Sequence, residues 1–188
     1  YGIENPRFAD GQVWHHGAFH LTSLALRLDH LRLALVQWFT LSLARTVKLN
    51  DPSYTGLTRF LADGPNGSSG VMVLEYTSAS ALESLRQCAD PVTRHTTTIS
   101  MGTEDHAPYA TQSVFATQDA IDAARMVVAC ELITAVRAAR KVDLGPSATK
   151  LVERCSTLPV DTSDRSLTSD IQIALSLLSS LATVFDLG

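Results

Sequence analysis

The amino-acid sequence predicts an all-α protein built as a bundle of long helices. Three long segments carry apolar residues at steps of three and four, the spacing that lines one face of an α-helix. Polar stretches rich in Pro, Gly, Asp and Asn separate these segments. With 188 residues, of which 45% are hydrophobic and 18% charged, the chain can bury a sizeable core and falls within the size of one domain.

The N-terminal part begins irregularly and continues into the longest predicted helix. Asn5-Pro6 and Asp10-Gly11 indicate turns and favour a short hairpin that ends in Gln12-Val13-Trp14. From Gly17 to about Leu49 the apolar residues keep a helical spacing, and Asn50-Asp51-Pro52 stops it. Because this helix is apolar on nearly every side, we expect it to be buried in the middle of a bundle.

Two further long helices and two others complete the predicted bundle. A Gly-rich loop over residues 63–70 precedes the first of them, and Asp90-Pro91 ends it. The first runs from Val71 to Ala89, and the second follows Glu104-Asp105-His106 and ends near Val142. The third runs from Gly145 to about Cys155, and the fourth from about Thr168 to Phe185. We expect residues 1–142 to form the central bundle and residues 143–188 to pack on it as C-terminal helices.

Charge and hydropathy argue against two classes of partner. The net charge is -4, and the Lys and Arg residues are scattered without the basic stripe or interleaved aromatics that nucleic-acid binding uses. The most apolar stretch, Leu24–Leu43, contains Arg27, Asp29 and Arg32, which a membrane-spanning helix tolerates poorly. We therefore expect neither a nucleic-acid partner nor a membrane span.

Cysteine usage and the first residues suggest a compartment. Cys88, Cys130 and Cys155 lie in helix-like contexts without paired spacing, which favours free, buried thiols in a reducing environment. The sequence starts at Tyr1, and no charged segment followed by an apolar one precedes the fold, so we expect no signal peptide. A cytoplasmic location is the resulting expectation.

The run Glu104-Asp105-His106 is the most informative group of ionisable residues. It lies in a polar stretch between two long apolar helices, where ionisable groups often have shifted pKa values and take part in chemistry. One interpretation is an acid/base cluster or a site that binds a substrate amine. The other is a cap at the N-terminus of the third long helix, where acidic groups offset the helix dipole. Spacing alone leaves both open.

A second group, His15, His16 and His20, raises the question of a metal site. His16 and His20 could face the same way on a helix, and Glu104 or Asp105 could supply a carboxylate for metal-assisted hydrolysis. Neither a zinc-ligand spacing nor a His-Glu-x-x-His motif is present. The sequence therefore favours histidines that are solvated or hydrogen-bonded, and we expect no metal.

Several segments, in order, resemble those of one enzyme family. Glu4-Asn5-Pro6, and then Gly17-Ala18-Phe19-His20 opening a long helix with Ala25-Leu26-x-Leu28-Asp29, resemble the Asp-Asn-Pro and Gly-Asn-Phe-His segments of the aromatic amino acid ammonia-lyases and aminomutases. The order continues with Asp51-Pro52, Phe60-Leu61, Asn66, Ser69-Gly70-x-Met72, Tyr76-Thr77, Ala81-Leu82 and Ala89-x-Pro91. Glu104-Asp105-His106 stands where the family has Gln-Glu-Asp-His. The resemblance covers residues 1 to about 142, the middle and later part of a much longer family chain.

The resemblance implies a fold and a set of site residues. The fold would be the C-terminal half of the ammonia-lyase architecture, a fumarase/aspartase-like helical bundle that assembles as a tetramer with active sites shared between subunits. Phe19 would line the cofactor and substrate pocket, and Glu104 would be the catalytic carboxylate that contacts the substrate. Thr103, also expected at the substrate, replaces the family's Gln, and Ala18 replaces its Asn. Ser42-Leu43-Ala44-Arg45 replaces the family's Ser-Glu-Arg-Arg.

The family's electrophile does not come from this sequence. It is a methylidene-imidazolone (MIO) formed from an internal Ala-Ser-Gly, which captures the substrate amine, and no Ala-Ser-Gly occurs among these 188 residues. The resemblance therefore implies a hetero-oligomer in which an N-terminal half or second subunit carries MIO and the assembly acts on an amino acid. The alternative is a non-catalytic subunit that stabilises a partner or binds a small ligand.

Overall fold

The computed structural model describes residues 5–64, 68–94, 97–99, 104–106, 109–143 and 167–184. Helices account for most of these residues, so the predicted all-α class is confirmed. In chain order the elements are β1 (Arg7–Ala9), β2 (Gln12–Trp14), α1 (Thr22–Leu49), α2 (Pro52–Thr55), α3 (Val73–Cys88), β3 (Thr97–Ile99), β4 (Glu104–His106), α4 (Tyr109–Ala139) and α5 (Leu167–Val184). Within the described residues, no helix combines the length and apolar character needed to cross a lipid bilayer.

The chain divides into two compact units, each made from two stretches of sequence. The first comprises Tyr1–Val36 and Leu85–Ile121, and the second comprises Gln37–Ser84 and Asp122–Gly188. The first unit contains both antiparallel strand pairs, β1 with β2 and β3 with β4. An apolar core of the second unit is formed by Leu61, Val71, Leu74, Ala129, Cys130, Ile133, Val136, Ala138 and Ala174.

The first long helix begins later than the sequence pattern predicts. Ala18–His20 form a separate 3-10 turn, and Leu21 follows with a φ of 50°. A left-handed residue cannot continue a right-handed helix, so α1 starts at Thr22 and not at Gly17. The predicted end near Leu49 and the predicted N-terminal hairpin both agree with the structure.

The expectation that α1 is buried on most sides is wrong for the chain on its own. Several of its large apolar side chains are exposed, Trp38 to 72%. The others are Leu24, Leu26, Leu31, Leu33, Leu41 and Val47. The described part of the chain does not supply enough neighbouring surface to cover a helix that is apolar all round.

The later helices agree closely with their predicted limits. α3 and α5 match the predicted Val71–Ala89 and Thr168–Phe185 helices to within two residues at each end. α4 starts at Tyr109, and Glu104-Asp105-His106 form strand β4 before it. The interpretation of these three residues as a cap at the N-terminus of the third long helix is wrong for their backbone, which pairs with β3 and ends three residues before α4. The predicted helix from Gly145 to about Cys155 lies outside the described residues.

Candidate functional site

Glu104, the predicted catalytic carboxylate, lies on a two-stranded hairpin of the first unit. Thr97 pairs with His106, Thr98 with Asp105, and Ile99 with Glu104, so Glu104 is the first residue of β4. This register fixes the backbone position of Glu104 relative to β3. The side chain of Glu104 and the whole of Thr103 lie outside the described part of the chain.

Phe19, the predicted aromatic of the pocket, belongs to the same unit. Its backbone is the central residue of the 3-10 turn Ala18–His20, and its side chain is not among those described. The backbone N–H of His20 donates to the Gly17 carbonyl at 3.1 Å, and that of Leu21 donates to the Ala18 carbonyl at 3.2 Å. These bonds hold the turn that carries Phe19.

A buried carboxylate, Asp29 of α1, binds the segment that leads into the hairpin. Asp29 accepts hydrogen bonds from the backbone N–H groups of Val92 and Thr93, at 3.2 and 3.4 Å, and from the Thr93 hydroxyl at 2.8 Å. Arg32, one turn further along α1, also donates to Asp29. Asp29 is 2% exposed and Arg32 is fully buried, so this is an ion pair withdrawn from water.

The surroundings of Asp29 favour its charged form. Burial alone would raise the pKa of this carboxyl, but the hydrogen bonds from Thr93 and Val92 and the positive charge of Arg32 together lower it below its ordinary value. Asp29 is therefore a carboxylate at neutral pH, which is the form that can accept several hydrogen bonds at once.

Arg32 extends the same network to the helix that follows the hairpin. Its Nη1 donates to the backbone carbonyl of Ser113 at 3.2 Å and to the Thr117 hydroxyl at 3.0 Å, both in α4. The Thr117 hydroxyl in turn donates to the Ser113 carbonyl at 2.6 Å. In the sequence, Arg32 appears only as a charge that interrupts an apolar helix, whereas Asp29 is such a charge and also the last residue of a family-like segment. Their spacing of three residues is a signal that could have predicted the pair.

The histidine group does not have the geometry of a metal site in the described residues. His16 Nδ1 accepts a hydrogen bond from the Ala18 N–H at 3.1 Å, and the His16 N–H donates to the Asn5 Oδ1 at 3.0 Å. These bonds give His16 a structural role in the loop before Phe19. Among the side chains that the structure describes, no three His, Cys, Asp or Glu groups converge to hold a metal ion.

The second unit contains a cavity of about 430 Å³, lined by Trp38, Phe39, Ser42, Arg45, Val128 and Glu131. Glu131 accepts hydrogen bonds from the Ser42 hydroxyl and from Arg45, whose Nη2 lies 2.9 Å from Oε2. This cavity was not predicted from the sequence. Among the described residues that line it, the ionic groups are Arg45 and Glu131, which pair with each other, so it offers a ligand mainly apolar walls.

The Ser-Gly dipeptide of this sequence, Ser69-Gly70, is packed as a structural turn. Gly70 has a φ of 50°, and a Cβ atom there would overlap the Phe60 carbonyl oxygen. The next residue, Val71, donates its N–H to the same oxygen at 2.9 Å. A backbone held this closely does not suit a cofactor-forming loop, and the residue before Ser69 is Ser68 where the MIO precursor needs Ala. The residues present in this chain do not fit the formation of MIO.

Comparison with known proteins identifies similar chains. The profile of the family described as aromatic amino acid lyase matches residues 3–157. The chain is 31% identical over 175 residues to the histidine ammonia-lyase of Geobacillus thermodenitrificans (strain NG80-2), a match that covers 90% of this chain. It spans only 35% of the length of that relative.

Solved structures resemble the fold over almost the whole chain. The histidine ammonia-lyase from Trypanosoma cruzi superposes with a TM-score of 0.82 at 26% identity, covering 95% of this chain and 37% of the other. The Pantoea agglomerans phenylalanine aminomutase superposes with a TM-score of 0.79 at 22% identity, covering 93% and 36%. The second likeness concerns the fold alone.

Proposed function

The chain belongs to the aromatic amino acid lyase family, and from this premise we propose that it is the C-terminal portion or a subunit of an ammonia-lyase or aminomutase that acts on an amino acid. The observation that carries the proposal is the family match over residues 3–157, which includes the segments of Phe19 and Glu104. Function depends on site residues more than on fold, so the proposal rests on these two positions.

The proposed roles follow from the chemistry of each side chain. An aromatic group at Phe19 provides an apolar wall that excludes water from the reacting atoms. A carboxylate at Glu104 can hold an ammonium group or accept a proton. Thr103 provides a hydroxyl beside Glu104, where the family pattern has an amide.

We further propose that a partner chain completes the active site and carries MIO. Three observations support this step. The chain spans about a third of the length of its relatives, its 188 residues contain no Ala-Ser-Gly, and α1 exposes large apolar side chains. Among these, Leu24, Leu31 and Trp38 follow one another at intervals of seven residues, the spacing of a stripe that packs against another helix. When bound, MIO would supply the electrophile for the substrate amine.

Native mass spectrometry of the complex isolated from its host tests the partner. We expect a second polypeptide whose intact mass is lowered by loss of water at an Ala-Ser-Gly. A folded, monomeric chain with no partner would contradict this part of the proposal.

Turnover by the same complex tests the catalytic role. Histidine, phenylalanine and tyrosine are suitable first substrates, with loss of ammonia followed by absorbance of the unsaturated acid and amino migration followed by chromatography. We expect Glu104→Gln to abolish most of the turnover while the complex stays intact. Asp119→Asn, which alters an exposed carboxylate of α4 in the same unit, is the matched control and should keep full activity.

The second candidate is a non-catalytic subunit that stabilises its partner or binds a small ligand. It is favoured by Ala18 and Thr103, which replace two polar residues of the family pattern. On this hypothesis Glu104→Gln leaves the activity of the assembled complex unchanged, so the same experiment separates the two candidates.

Two expectations about the whole chain stay predictions. The cytoplasmic location rests on the free cysteines, of which Cys130 is buried and Cys88 half-buried, while Cys155 lies outside the described residues. The division into a central bundle of residues 1–142 and C-terminal helices of residues 143–188 is likewise a proposal.

A further inference from the structure

Both flanks of the hairpin that carries Glu104 are attached to α1 by one buried ion pair. On the N-terminal side, Asp29 binds the backbone of Val92 and Thr93, and β3 starts at Thr97. On the C-terminal side, β4 ends at His106, and Arg32 binds the carbonyl of Ser113 in α4. One ion pair of α1 therefore binds a segment before the hairpin and a segment after it.

We propose that Asp29 and Arg32 are positioning residues that act through Glu104, by fixing to α1 the segments that precede and follow the β3–β4 hairpin in the chain. The proposal rests on the function proposed above, because Glu104 is the group whose position matters. It adds two residues that contact the hairpin's flanks and that the family resemblance did not assign to the site.

The chemistry of the Asp29–Arg32 pair fits a clamp, meaning a pair that fixes the path of the backbone, better than it fits a general contribution to stability. A buried ion pair contributes little net stability, since desolvation offsets much of the attraction. Asp29 nevertheless directs two of its hydrogen bonds to backbone N–H groups and Arg32 directs one to a backbone carbonyl. Bonds to the backbone fix the path of the chain whatever side chains it carries, which is what an element that must present Glu104 accurately requires.

Hydrogen exchange in the native complex provides a test that does not need activity. Asp29→Asn removes the charge and one strong acceptor, so amides of Thr97–Ile99 and Glu104–His106 should exchange at least about tenfold faster, while α5 amides keep their rates. Thr93→Val removes only the hydroxyl donor, and about threefold faster exchange is expected in the same strands. This milder variant serves if Asp29→Asn does not fold.

The control is a buried ion pair of the second unit. Arg137 donates to Asp170 at 2.8 Å, and both side chains are buried to a similar degree as Asp29 and Arg32. Asp170→Asn should leave exchange in β3 and β4 unchanged. Unchanged hairpin exchange in the Asp29→Asn and Thr93→Val variants would overturn the proposal, as would an equal increase in α5 and the hairpin.

Turnover provides the second readout, which a purely structural role would not change in the same way. If Asp29 acts through Glu104, Asp29→Asn lowers kcat in the wild-type background and has no further effect on kcat in a Glu104→Gln background. Losses that multiply in the double variant would refute the coupling. If the wild-type complex turns over no amino acid, the proposed function fails, and hairpin exchange alone decides whether the clamp exists.

Discussion

Replacing Gly70 by alanine tests how tightly the turn before α3 is built. Gly70 has a φ of 50°, and a Cβ atom would overlap the Phe60 carbonyl oxygen and lie 2.9 Å from the Ala62 nitrogen. Gly56 has a similar φ of 68°, but nothing lies within 4 Å of the Cβ position. The two glycines therefore share the conformational requirement, and only Gly70 adds a steric one.

The two substitutions should therefore lower the melting temperature by different amounts. The left-handed conformation costs an alanine about 1 kcal/mol, so Gly56→Ala should lower the melting temperature by about 2–4 °C in a chain of this size. Overlap with main-chain atoms adds about 1–3 kcal/mol, since Phe60 and Ala62 can move only by disturbing the hydrogen bond between Val71 and Phe60. Gly70→Ala should therefore lower the melting temperature by roughly 6–12 °C.

Thermal unfolding followed by circular dichroism measures both variants against the wild type, with the same partners present in every sample. A melting temperature of Gly70→Ala no lower than that of Gly56→Ala would refute the reasoning. It would mean that the approach of Gly70 to the Phe60 carbonyl does not contribute to stability.

Three further predictions rest on single residues. Burial raises the pKa of the Cys130 thiol to about 11, so a thiol reagent at pH 8 should modify it only after denaturation, as peptide mapping would show. Asp170→Ala should lower the free energy of unfolding by about 3–5 kcal/mol, because it deprives the buried Arg137 charge of this carboxylate. Asp122→Ala removes a carboxylate from an exposed ion pair and should lower the free energy of unfolding by less than about 1 kcal/mol. Equal shifts in melting temperature for the two variants would contradict the importance of burial. Folding lowers the pKa of Asp29 below its ordinary 3.8, so the Asp29 carboxylate stabilises the fold above that pH, and this stabilisation is lost as the pH falls through the lower pKa of the folded state. Asp29→Asn should therefore flatten the acid side of a plot of melting temperature against pH. An acid side unchanged by the substitution would refute this prediction.

The helices could be predicted from the sequence because their signals are local. A three- and four-residue apolar period was enough to predict α3 and α5, together with Gly70 and Asp90-Pro91 at the ends of α3 and a polar linker before α5. The start of α1 could not be predicted, because the left-handed residue that delays it is Leu21 and not a glycine. Strand β4 could not be predicted either, since its pairing depends on β3, a partner that no periodicity indicates.

The sequence could identify candidate site residues only in the segments that resemble the family. The family segments led to Phe19 and Glu104, but the bonds that hold the segments before and after the β3–β4 hairpin join distant parts of the chain. Asp29 and Val92 are 63 positions apart, and Arg32 and Thr117 are 85 apart. In the sequence Asp29 and Arg32 interrupt an apolar helix, and Asp29 also ends a family-like segment, but the role of both residues follows from the elements that the fold brings beside them.

The departures from the family pattern differ in how far this chain can compensate for them. Arg45, in the altered Ser42-Leu43-Ala44-Arg45 segment, keeps a carboxylate partner in Glu131, so that change does not leave its charge unpaired. Thr103 keeps a hydroxyl that can donate and accept, although its reach is shorter than that of a glutamine amide. Ala18 has no polar side chain at all, and its backbone groups are engaged locally, the N–H by His16 and the carbonyl by Leu21. Under the proposed function, the choice between a catalytic and a non-catalytic subunit therefore depends most on whether the proposed partner chain supplies a polar contact in place of the one that Ala18 lacks.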